Sequence, residues 1–116
     1  MTPRTVFTDD DHRKYNRHGE SFDVGETFSG VDYDSGLEAV ECLRPLVPEG
    51  VTMAQFALRW ILMFDAVSCA IPGAKNRMQA VDNARAADLP ALDQETTVQV
   101  EVIYDEYIKE QVHQRW

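Results

Sequence analysis

Val67-Ser-Cys-Ala-Ile-Pro-Gly-Ala-Lys-Asn-Arg-Met-Gln-Ala-Val-Asp-Asn83 is the stretch around which the chain is organised. Val67–Ile71 is a short apolar run of β-compatible residues, and Pro72-Gly73 stops it, because proline lacks a ladder donor and glycine permits a sharp turn. Asn76 then caps a helix, with Gln79 three residues on as the reciprocal partner of a capping box. The pattern predicts a strand, a glycine turn and a helix start. A helix start leaves orphan backbone N–H groups at the positive end of the macrodipole, which suits an anion. Lys75 and Arg77 flank it and add full charge. Gln79, Asp82 and Asn83 follow at spacings that share one helix face. An Asp acceptor beside an Asn amide matches the edge of an adenine, which offers an amino donor next to a ring-nitrogen acceptor. Phosphate at the helix tip and adenine one turn on together describe a phosphorylated adenosine.

Outward from this stretch the chain reads as helices. Upstream, Thr52–Phe64 is predicted as a helix capped by Thr52 with Gln55 completing the box, and Met53, Phe56, Ala57, Trp60, Ile61 and Phe64 form a core stripe at helical spacing. Burial of each large side chain in such a stripe contributes about 1.5–3 kcal/mol, so the stripe demands a partner surface. Further upstream, Ser35–Val47 is predicted as a helix capped by Ser35, with Leu37, Val40, Leu43 and Val47 on one side and Pro45 ending or distorting its last turn. Downstream, the helix over Arg77–Ala87 carries Met78, Val81 and several alanines inward, and Leu89-Pro90 ends it. Asp93 caps a last long helix, Gln94–Val112, whose apolar positions include Val98, Val102, Tyr104 and Ile108; Trp116 is expected to pack on the surface. Cys69 reads as a small buried residue on the strand and Cys42 as inert.

Ile71-Pro-Gly-Ala-Lys-Asn-x-x-Gln-x-x-x-Asn83 resembles the closing strand–helix unit of the aldo-keto reductases. Met-Ala-Gln-Phe-Ala-Leu-Arg-Trp-Ile-Leu62 resembles the helix before that family's final strand. Asp-Asp-His-Arg-x-x-Asn-Arg-His-Gly-Glu-x-Phe22 resembles the long loop bordering the substrate cleft in some bacterial-type members. The resemblance implies an α/β chain: the C-terminal fragment of a TIM (β/α)8 barrel, mostly helical with one short strand. Residues 1–34 would be the substrate-side loop and 35–116 the last barrel units. It implies NADP as cofactor, with Gly73, Ala74 and Lys75 along the phosphate and ribose, Gln79 against the adenosine, and Asp82 and Asn83 holding the adenine. Ala74 often has a hydroxyl residue as its counterpart in the family, and Asp82 a Glu. The family exchanges a hydride between NADP(H) and a small carbonyl or alcohol. Its catalytic Asp, Tyr, Lys and His lie on earlier strands, and Tyr15, Tyr33, Tyr104 and Tyr107 do not match the context of the catalytic tyrosine, so no catalytic residue is assigned.

Length and charge set bounds on both readings. A full barrel needs roughly 250 residues, so 116 residues amount to its last third. A net charge of −9 excludes general nucleic-acid or anionic-membrane binding. No apolar run approaches a membrane span and no signal peptide is visible, so two free cysteines fit a cytoplasmic location. Asp10, Asp11, His12 and His18 are metal-capable donors, but the run reads as a solvated charged loop and no metal is assigned. Met1–Ser35 shows no sustained periodicity. A lone strand leaves its backbone groups unpaired, so the expected partners are the remainder of the barrel or a self-associated copy. The alternative to the reductase reading is a non-catalytic oligomerising or anion-binding module derived from that barrel.

Overall fold

The structure, a computed structural model, describes residues 5–22 and 27–115. Its elements are α1 (His12–Tyr15), α2 (Tyr33–Leu43), α3 (Met53–Ile61), α4 (Arg77–Arg85), α5 (Gln94–Tyr107) and α6 (Lys109–Val112), with short 3-10 turns between them. They fall into two compact units: residues 45–97, and residues 1–44 together with 98–116. No strand occurs among the described residues. The strand expected at Val67–Ile71 is instead irregular backbone, because no second extended segment lies alongside to share a ladder. Its first residue ends a turn, with the Val67 amide on the Phe64 carbonyl at 2.9 Å.

The 45–97 unit is built from α3 outward. Thr52 is the N-cap of α3: its hydroxyl accepts from the Gln55 amide at 3.2 Å, and the Gln55 side-chain oxygen accepts from the Thr52 amide at 3.0 Å. This is the predicted box. The other end of the same carboxamide donates from Nε2 to the Asp82 carbonyl in α4 at 2.9 Å. Phe56 and, beyond α4, Ala86 are the buried apolar residues of the unit. The return segment is tied to α3 by the Arg59 guanidinium on the Pro90 carbonyl at 3.2 Å. Asp93 caps α5, its carboxylate accepting from the Thr96 amide at 2.7 Å.

In the other unit, Asn16 is fully buried and holds the first loop. It donates to the Thr27 hydroxyl at 3.1 Å and accepts from the Ser21 and Phe22 amides, each at 2.9 Å. Asp32 caps α2 by accepting from the Asp34 and Ser35 amides. Tyr33 is buried under the Arg17 guanidinium, 4.4 Å from its ring centroid, and lies 5.0 Å from the Phe28 ring. Gly30 has a φ of +79°, a left-handed backbone that favours glycine, and the Arg115 guanidinium packs close against it. The Asp32 amide donates to the Gln111 side chain at 2.6 Å, fastening α6 to the start of α2.

Several expectations are corrected. The cap of α2 is Asp32 rather than Ser35, and the helix stops at Leu43 because Pro45 forces a 3-10 turn over Arg44–Leu46. Helix α3 ends at Ile61, three residues early, and of its expected core stripe only Phe56 is buried; Ala57, Ile61 and Phe64 are exposed. Met78 and Val81 face outward instead of inward, as do Val98 and Val102. The last helix breaks at Ile108. Cys69 is exposed, since the strand that was to bury it is absent. The first segment contains α1 and a 3-10 turn. Trp116 lies outside the described residues.

Gln55→Leu keeps the volume of the side chain and strands both the Thr52 amide and the Asp82 carbonyl. It is expected to destabilise this unit by about 1–3 kcal/mol, read as a lower urea midpoint for the α3–α4 helical signal. An unchanged midpoint would show that the clamp contributes nothing.

Candidate functional site

The candidate residues sit on the loop 72–75 and the first two turns of α4. Asn76 takes extended backbone and its side-chain oxygen accepts from the Gln79 amide at 2.9 Å, as the sequence predicts for an N-cap. The return bond differs by one residue. The Gln79 side-chain oxygen accepts from the amide of Lys75, not of Asn76, at 2.8 Å. Asn76 itself takes extended backbone, with φ and ψ of −153° and 168°.

A second bond closes the loop onto the helix. The Asn83 amide donates from Nδ2 to the Gly73 carbonyl at 3.2 Å. Gly73, Lys75, Gln79 and Asn83 are thereby drawn into one short loop–helix corner, held at one end by Gln79 and at the other by Asn83. The Arg77 and Met78 amides at the α4 start have no hydrogen-bond partner among the described residues. These are the orphan donors of a helix N-terminus, and they carry its partial positive charge. Residues 71–80 are exposed throughout, so the Lys75 and Arg77 cations reach solvent beside those amides.

Asp82 is oriented differently from the expectation. Its carboxylate lies 3.5 Å from the Arg85 guanidinium, one turn along the same helix, while its carbonyl is taken by Gln55. The Arg85 pairing was legible as an i,i+3 spacing; the Gln55 bond was not, because those residues are far apart in sequence. Ala74 contributes a methyl group to a groove of about 520 Å³ lined by Leu58, Leu62, Pro72, Ala80, Asn83 and Ala84, among others. The groove is apolar, and Asn83 brings a carboxamide to it. Ala80 and Ala84 of α4 line it, small residues visible in the sequence but read there simply as core.

Elsewhere the loop donors are engaged locally. Asp11 caps α1 and binds the Arg13 guanidinium through both carboxylate oxygens, at 2.9 and 2.6 Å. That partner holds the Asp11 carboxyl well below the usual carboxylate range. Among the described residues no three His, Cys, Asp or Glu side chains gather as a metal site would require.

The profile of the Aldo/keto reductase family matches residues 2–105. A probable voltage-gated potassium channel subunit beta from Oryza sativa subsp. japonica is 36% identical over 72 residues, which cover 60% of this chain and 22% of that protein. The chain thus spans about a fifth of the length of the curated relative it matches. No solved structure matches it.

Gln79→Ala removes the acceptor on the Lys75 amide while leaving a residue of high helix propensity in α4. Hydrogen exchange at the Lys75 amide is expected to quicken by roughly 2- to 10-fold, the worth of one exposed hydrogen bond, with the helical signal of α4 preserved. Unchanged exchange would mean that the corner is not held by Gln79.

Proposed function

Because the chain belongs to the aldo/keto reductase family, we propose that it is the C-terminal, NADP-holding part of an NADPH-dependent carbonyl/alcohol oxidoreductase on a (β/α)8 barrel. Membership in the family carries the coarser reading, an oxidoreductase of barrel architecture. The closed corner at Gly73–Asn83 supports the finer one. The Asn83 amide places one of its two Nδ2 hydrogens on the Gly73 carbonyl, so its second N–H and its side-chain oxygen remain for the edge of an adenine. The Arg77 and Met78 amides and the Lys75 ammonium supply donors and charge for the 2′-phosphate. In this reading Gly73, Ala74 and Lys75 follow the phosphate and ribose, Gln79 flanks the adenosine, and Asp82 with Asn83 meets the adenine. Asp82 would exchange its exposed contact with Arg85 for that role, at little cost because such surface pairs contribute little.

The bound cofactor supplies a hydride for the carbonyl carbon of a small substrate, and a proton completes the alcohol. The residues of this chain bind and orient the distal end of the cofactor. No catalytic residue is assigned among them, and the proton donor is assigned to barrel strands outside residues 1–116. The two free cysteines fit a cytoplasmic setting for this reading; no helix among the described residues is long and apolar enough to cross a membrane. The partner is then the remainder of the barrel.

A second reading has its own support. Ile71 is 94% exposed and Met78 71% exposed, so the same loop and helix would serve a non-catalytic module that binds anions or pairs with another copy. Titration of the intact protein that contains this chain with NADP, NAD and inorganic phosphate separates the two. The reductase reading expects NADP to bind more tightly than NAD, and Lys75→Glu to weaken NADP by roughly tenfold or more through loss of one charge-assisted contact and gain of a repulsion, with NAD little changed. If NADP and NAD bind equally, or Lys75→Glu leaves the preference intact, the assignment at Lys75 fails. Binding of phosphate without NADP would favour the module.

A further inference from the structure

Phe28 and Ser29 are held in left-handed backbone, with φ of 55° and 56°, and Gly30 follows at 79°. Among the described residues no other non-glycine residue has a positive φ. Left-handed backbone brings Cβ against the following carbonyl, and a bulky residue rarely adopts it unaided. Such a conformation persists only where its surroundings over-determine it. What surrounds this turn is α6 and the residues after it, inside the same compact unit. The Gln111 carboxamide donates to the Tyr107 carbonyl at 2.9 Å, where α5 ends, and accepts from the Asp32 amide at 2.6 Å. Val112 is buried beside Gly30, and the Arg115 guanidinium packs against the same residue. On its other side the turn continues into the first loop. The buried Thr27 hydroxyl accepts from the Asn16 side chain, whose oxygen in turn holds the Ser21 and Phe22 amides. A hollow of about 260 Å³ lined by Phe28, Ser29, Val31, Tyr33, Gly36 and Ile108 leaves the turn space to move.

We infer that residues 109–115 act as a latch on this turn. With Gln111 on the Asp32 amide, and with Val112 and Arg115 against Gly30, the left-handed state is the stable one. With that segment withdrawn, Phe28 and Ser29 return to right-handed backbone, Thr27 shifts, and the Asn16 bonds that order residues 16–22 loosen. The turn is thus a two-state element whose balance is set by a segment 79 residues away in the chain. Ordinary packing would favour an unstrained turn. Strain concentrated where the segment touches is what distinguishes a latch from a plain contact. No part of the latch involves the corner at Gly73–Asn83.

Hydrogen exchange on the intact protein that contains this chain tests it. Gln111→Leu removes the acceptor from the Asp32 amide. Exchange is expected to quicken roughly 2- to 10-fold at Asp32, and also at Val31, whose amide donates to the Phe28 carbonyl, and at Ser21 and Phe22. Adding Ser29→Gly to Gln111→Leu is expected to bring Val31, Ser21 and Phe22 back toward the wild-type rate, because glycine takes left-handed backbone without strain. A plain loss of packing would give the opposite result, since glycine adds chain freedom. Far-UV circular dichroism checks that the helices are retained. Should Gln111→Leu lose them, Arg115→Ala, which withdraws the guanidinium from Gly30 at an exposed position, carries the same expected pattern and the same rescue. Quickening confined to the Asp32 amide overturns the latch, and so does a Ser29→Gly variant that fails to restore protection at Val31.

Discussion

The 45–97 unit depends on one buried carboxamide. Gln55 accepts from the Thr52 amide and donates to the Asp82 carbonyl, so a single side chain both starts α3 and fixes where α4 lies against it. The geometry is demanding. A glutamate could accept but not donate, and an apolar residue could do neither, so each would leave part-buried backbone groups without this partner. Because Asp82 is in the middle of the candidate face, the same bond sets the height of Gln79 and Asn83 along α3. The site is therefore positioned by a residue that does not belong to it.

The corner itself repeats this economy at smaller scale. Three side-chain amides, Asn76, Gln79 and Asn83, each spend one polar atom on the local backbone: the Gln79 amide, the Lys75 amide and the Gly73 carbonyl. Side chains held in this way lose little further rotamer freedom on meeting a ligand, which lowers the cost of ordering them. The cations behave differently. Lys75 and Arg77 are exposed and unclamped, so they supply field and charge rather than fixed geometry. In the reductase reading, that division suits a phosphate at the tip, which accepts donors from many directions, and a planar base further in, which does not.

Much of the local pattern is legible in the sequence because it is set within a few residues. The Thr52–Gln55 box, the Asn76 cap and the start of α5 after Asp93 are all found where hydrogen-bonding side chains at fixed offsets require them. The misses have a common cause. Val67–Ile71 has the composition of a strand, yet a strand is a property of a pair, and no pairing segment lies beside it among the described residues. Ile61, Phe64, Met78 and Val102 have the spacing of core residues, yet the described residues cover them only in part, leaving Ile61 37% and Met78 71% exposed. Periodicity reports which face is apolar; it does not supply the opposing surface. The cap of α2 was missed for a simpler reason, since Asp32 and Ser35 are both competent caps and Asp32 accepts from two amides and the Ser35 hydroxyl at once.

By itself, then, the order of residues determined where helices begin, which family pattern the chain carries and where cationic and amide side chains cluster, because caps, turns and charge spacing act over one or two helical turns. Only the tertiary structure decided that Gln55 reaches Asp82, that Asn83 turns back on Gly73, that Asp82 rests on Arg85 and that the apolar faces of α4 and α5 look outward. The exposure of those faces and the long reach of Gln55 depend on which segments meet in space, and a hydrogen bond spanning 27 residues leaves no local mark in the order of the chain.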